Sequence, residues 1–159
     1  MSSSPIPPLP PDPVARRSKK KLFAMFAVVL AIALFVLWSL GKGAYHDYRL
    51  ASAAVDHFHE ELDRGNFESI YSEATEDFRS GGTLADFIKV LETVHQKMGN
   101  SDKKTPQGFH VNWKNGRHLV DQVFDTQFAL GHAQESFIWV VETDQVRLYY
   151  YQIHSPNLP

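Results

Sequence analysis

From Leu22 to Leu40 the chain runs through 19 residues with no charge and a single hydroxyl, that of Ser39. At about 1.5 Å rise per residue a helix of that length spans roughly 28 Å, close to the roughly 30 Å hydrocarbon core of a bilayer. Lipid offers no partner to a backbone amide, so a single-pass segment must be helical to satisfy its own polar groups. This stretch decides where the protein sits before anything decides what it does.

Arg16, Arg17, Lys19, Lys20 and Lys21 precede the apolar run, whereas Lys42 alone follows it closely. That asymmetry predicts a cytoplasmic N-terminus and places everything from Tyr45 onward outside. A cleaved signal peptide is the alternative, since it too has a basic start and an apolar middle. The run exceeds the roughly 7–15 apolar residues of such a peptide, and the site around Leu40-Gly41 lacks a convincing small-x-small pattern, with only Ser39 and Gly41 available,. An uncleaved signal-anchor is therefore expected.

The remaining residues suffice for one domain of modest core. Five basic residues and Asp12 lie before Gly41, leaving 11 basic against 17 acidic residues after it, a balance of about −6. Such a charge disfavours nucleic acid as a partner. With no cysteine there is neither a disulfide nor a thiolate metal site,. The outer part also lacks an Asn-x-Ser/Thr acceptor, which favours a bacterial cytoplasmic membrane over a eukaryotic secretory route.

Taken in order, residues 1–21 form a tail, Pro-rich over Met1–Pro13 and then basic, expected to be extended and unfolded,. After the anchor (22–40) comes an outer domain over 41–154. Ala51, Val55, Phe58 and Leu62 recur as one stripe of an amphipathic helix, which Gly65 stops,. A short second helix places Phe67, Ile70, Tyr71 and Ala74 together, and Ser80-Gly81-Gly82 breaks the chain. Thr83 reads as the N-cap of a third helix burying Leu84, Phe87, Leu91, Val94 and Met98,. The period then drops to two. Strands are expected at Phe109–Trp113, Arg117–Leu130, Phe137–Val141 and Val146–Ile153, the first pair joined by a type I′ turn at Asn115-Gly116,. Residues 155–159 form a tail. The class is α+β: three helices on a curved antiparallel sheet of about four strands. Phe58, Phe87, Phe124 and Trp139 are expected in the core.

Phe58-x-x-x-Leu62-Asp63-Arg64-Gly65-Asn66-Phe67, followed by Tyr71, Phe78 and Phe87, resembles the opening of a bacterial membrane-anchored family of unknown function in the cystatin and nuclear transport factor 2-like class. The likeness covers roughly Ala51 to His154 and implies a fold, not an active site. The layout of short tail, one span and outer domain is also similar to the inner-membrane assembly factor of type IV secretion machines.

Enzymes of that wider class use an aspartate, or a histidine–aspartate pair, inside the cone between sheet and helices. Here Asp121 and Asp125 oppose Val120, Phe124 and Phe128 in parity and are expected to face solvent. His118, Gln122 and Thr126 share the apolar parity and are the candidate ligand-binding residues,. His57 and His59 lie two apart on a helix, cannot share a metal ion, and read as a solvated face. The other histidines have no spacing that suggests a site, and the Tyr149-Tyr150-Tyr151 triplet alternates between faces. No catalytic residue, metal or cofactor is expected. The reading is a non-enzymatic interaction or assembly module of the cell envelope, with an envelope protein or a second copy as partner. A small-ligand-binding domain comes second, and an isomerase- or hydrolase-type enzyme third.

Overall fold

The computed structural model describes residues 17–143 and 145–158, with side chains from Phe23 onward except at positions 40 and 41. The Pro-rich stretch Met1–Pro13 lies outside the described residues. The chain divides into two units, Met1–Lys42 and Gly43–Pro159.

In the first unit the apolar run is helical, as part of α1 (Arg17–Arg64). No side chain from Phe23 to Ser39 is buried, and Phe23 is 81 % exposed. With a mean hydropathy of 2.7 over its most apolar 18 residues, α1 is the one helix among the described residues long and apolar enough to cross a membrane. The helix continues through Gly41 and Gly43, because a mid-helix glycine costs only about 1 kcal/mol.

In the second unit the predicted stripe of α1 is buried at all four positions, and Gly65 ends the helix at φ +75°. α2 (Phe67–Glu73), α3 (Glu76–Ser80) and α4 (Leu84–Met98) follow. The five-residue α3 is additional to the three expected helices. Thr75 nucleates it by accepting from the Phe78 amide. The Thr75 amide and hydroxyl both donate to the Leu148 carbonyl, at 2.9 and 3.1 Å, which ties this corner to the sheet. Thr83 caps α4 as expected, its Oγ1 accepting from the Asp86 amide at 3.2 Å. The α4 face is narrower than its sequence suggests. Leu91, Val94 and Met98 are buried, but Leu84 is exposed and Phe87 only partly covered. Near its N-terminus α4 meets the short α2 and α3, which are too small to enclose it; Phe87 packs against Tyr71 and Phe78, with ring centroids 5.7 and 5.2 Å away.

Strands β1 (Ser101–Lys114), β2 (Arg117–Phe128), β3 (Gly131–Glu142) and β4 (Gln145–His154) form one antiparallel sheet in sequential order. Asn115 and Gly116 take φ of 53° and 75°, the type I′ turn expected,. β1 starts well before Phe109 and passes through Pro106, which an edge strand tolerates because its free side needs no donor,. Ala133, Glu135, Phe137, Trp139 and Val141 of β3 alternate onto the core face, joining Val120, Gln122, Phe124, Thr126 and Phe128 of β2.

Simple alternation fails in β4. Leu148 pairs with Trp139 and Tyr150 with Ile138, so Tyr149 is an extra residue in the ladder,. The bulge resets the parity, and both Leu148 and Tyr151 turn inward. Phe137 is the hub of the resulting core, with Phe58, Phe124, Trp139 and Tyr151 at 5.2, 6.2, 5.6 and 5.1 Å between ring centroids. The chain end packs under the β2–β3 turn: Ser155 Oγ donates to the His132 carbonyl at 2.8 Å and Asn157 Nδ2 to that of Leu130 at 3.1 Å.

Candidate functional site

β2 carries three polar side chains on its core face, and the domain part of α1 lies against them. His118, near the start of the strand, is half-buried, with Nε2 3.4 Å from the Asp47 carboxylate. Gln122 is buried and donates from Nε2 to Ser52 Oγ at 3.1 Å. Thr126 is fully buried. The sequence parity thus places His118, Gln122 and Thr126 on the inner face, with Asp125 exposed and Asp121 intermediate. Neither Gln122 Oε1 nor Thr126 Oγ1 makes a hydrogen bond of normal geometry.

The strongest chemistry of this interior joins α1 to the next strand, β3, through a residue expected at the surface. His59 is 1 % exposed, whereas His57 is exposed and bonded to Glu73 at 2.9 Å. The correction follows from helix geometry. At about 100° per residue, His59 falls only about 40° from Val55, inside the apolar stripe. The i, i+4, i+7 spacing of Val55, His59 and Leu62 carries that signal, as does the shared parity of Glu135 with Phe137 and Trp139.

His59 Nδ1 lies 2.8 Å from the Val55 carbonyl, an acceptor only, so this nitrogen carries its hydrogen,. Nε2 lies 2.9 Å from Glu135 Oε2, and Tyr151 donates its hydroxyl to Glu135 Oε1 at 2.8 Å. The sequence leads one to expect no buried acid–base pair; this pair overturns that expectation. Burial pushes the Glu135 pKa up. The hydrogen bond and charge of His59, with smaller contributions from Thr126 and Tyr151, outweigh it and hold the carboxyl below its ordinary value. Thr126 acts here by proximity rather than through a well-formed bond. Burial, then the charge of Glu135 and the bond to it, raise Tyr151 well above the usual tyrosine value.

A matched acid and base within hydrogen-bond reach is what proton-transfer chemistry uses. Here the two side chains are 2 % and 0 % accessible, and the Phe58, Phe128 and Phe137 rings stand 5.6, 6.2 and 6.0 Å from the imidazole. The pair also sets a pH dependence. The ordinary value for Glu135 is 4.5 and its folded value is lower. Its contribution to stability is therefore complete above about pH 4.5 and is lost as pH falls through the folded value. Unfolding midpoints measured down an acid series should drop below that point, and Glu135→Gln, which cannot titrate, should lose this component. An identical acid profile for both proteins would refute the assignment.

Open concavities lie elsewhere. A groove of about 510 Å³ runs between the short helices and β4, walled by Tyr71, Phe78, Phe87, Val90, Tyr149 and Tyr150, with Asp77 and Asp86 also lining it. None of His118, Gln122 and Thr126 contributes to it. A small cavity of about 50 Å³ lies beside His57 and Glu73, against Phe58, Ile70 and Trp139. Among the described residues no three His, Asp or Glu side chains gather as a metal site. No protein-family model and no curated protein matches the chain.

Proposed function

We propose that this chain is a membrane-tethered, non-enzymatic interaction module of the bacterial envelope. In this reading its N-terminus is cytoplasmic and its α+β unit, of the cystatin and nuclear transport factor 2-like class, lies outside the inner membrane. One observation carries the reading: an aromatic groove beside β4 is open to solvent, while the acid–base pair has no exposed surface for a substrate. Aromatic and aliphatic walls exposed on a folded surface are what protein partners bury. A small-ligand role for Gln122 and Thr126 is the second reading, favoured by their two unpartnered buried oxygens. Catalysis comes third, because His59 and Glu135 would first have to be uncovered.

The absence of cysteine makes one labelling experiment sufficient. Val90→Cys, in the groove, and Gln96→Cys, exposed further along α4, are treated with a membrane-impermeant maleimide in intact spheroplasts. Both should react without lysis. Position 90 should be the slower of the two in native membranes, and the difference should vanish in purified protein. Labelling only after lysis would reverse the topology. Equal protection in membranes and in detergent would remove the partner.

A further inference from the structure

The groove beside β4 carries a charge pattern as well as aromatic walls. Tyr71, Phe78, Phe87, Tyr149 and Tyr150 line it together with Asp77 and Asp86, and no lysine, arginine or histidine lines it. Asp77 is paired with Arg117. Asp86 is exposed and makes no ion pair among the described residues. Its Oδ2 accepts from the Thr83 hydroxyl at 2.7 Å, which fixes the carboxylate and leaves Oδ1 without a donor among the described residues. The rings are held too. The Tyr71 hydroxyl lies 3.1 Å from the carbonyls of both Arg79 and Gly82, and Phe78 and Phe87 meet edge to face at 88°. Tyr150, 43 % exposed, is bonded through its hydroxyl to Gln152 at 3.0 Å.

We propose that this groove receives an arginine side chain of a partner protein, its guanidinium flat on the aromatic rings and bonded to Asp86. The proposal rests on the reading of the chain as an interaction module and names the chemistry of what that module takes. An aromatic face is negative and attracts a cation, and a planar guanidinium stacks on it as an ammonium does not. The same group offers paired N–H donors to a carboxylate. The chain's own Arg117 makes such a contact with Asp77. A purely aliphatic occupant would strip water from Asp86 and replace it with nothing. An acidic one would be repelled, since the chain beyond Gly41 carries about −6 overall,. Fixed rings and a fixed carboxylate also lower the ordering cost of the complex.

Two measurements on the full chain test this. Purified protein in detergent is titrated with N-acetyl-arginine methylamide and with its citrulline analogue, uncharged but of similar shape, and followed by saturation-transfer NMR. The arginine probe should bind and the citrulline one should not. Asp86→Asn, which keeps an acceptor for Thr83, should weaken binding about three-fold, the scale of an exposed ion pair. Tyr150→Leu, which leaves the cap of α4 untouched, should weaken it by a similar factor. Glu92→Gln, exposed on α4 outside the groove, should change nothing. In native membranes Val90→Cys should be protected from maleimide, and adding Asp86→Asn, but not Glu92→Gln, should speed its labelling. A silent arginine probe, or protection that survives Asp86→Asn, overturns the arginine proposal and leaves the interaction module standing. No protection of Val90→Cys removes the module and the proposal with it. Equal binding of the citrulline probe overturns the proposal, as does tighter binding of tetramethylammonium, which would assign the rings to a small quaternary cation.

Discussion

Glu135→Ala is expected to destabilise the α+β unit by about 3–5 kcal/mol, the usual cost of removing one partner of a buried acid–base pair. The substitution strands His59 against three phenyl rings and frees the Tyr151 hydroxyl from its acceptor. A domain of this size holds only about 5–15 kcal/mol in total, so much of the population should unfold at moderate denaturant. His59→Ala should do similar damage. The double replacement His59→Leu with Glu135→Met behaves differently, since exchanging a whole buried pair for apolar residues is often neutral or stabilising. Chemical unfolding of the four proteins in one detergent checks the set. Single variants within about 1 kcal/mol of the parent would mean that the pair is solvated in the working protein, and the catalytic reading would then rise to first place.

Phe137→Ala should cost about 3–5 kcal/mol through lost burial and the cavity left behind. Phe137 is fully buried at the centre of the aromatic cluster and faces four other rings. Phe87→Ala, which the helix pattern alone would rank as equally severe, should cost less than about 2 kcal/mol, because its ring is only partly covered,. The comparison is made by melting the two variants side by side. Equal losses would show that the α4 contacts with Tyr71 and Phe78 count as core.

The framework was legible because it rests on periods and punctuation. The stripe of α1, the stop at Gly65, the cap at Thr83 and the Asn115-Gly116 turn follow from spacing and from backbone conformations that few residues tolerate. The parity of His118, Gln122 and Thr126 followed likewise, because β2 runs against β3 without a register shift. What escaped depends on three-dimensional pairing. His59 looks like a surface residue until Glu135, 76 positions later, gives its nitrogen an acceptor. Nothing local to Tyr149 marks it as the extra residue, since a bulge is fixed by the partner strand. Phe87 carries the right spacing on α4, but spacing does not report how large the neighbouring helix is.

The placement of these bulges bears on how the domain tolerates changes in length. β1 shifts register twice against β2, and β4 once against β3, whereas β2 and β3 pair without a break over Phe128–His118. A residue inserted into or deleted from either outer strand meets slack already present, so the inward side chains beyond it can keep their places. The same edit in β2 would turn Gln122, Phe124, Thr126 and Phe128 to solvent and expose the core. Insertions and deletions should therefore be confined to the sheet's margins, with the two central strands keeping a constant count.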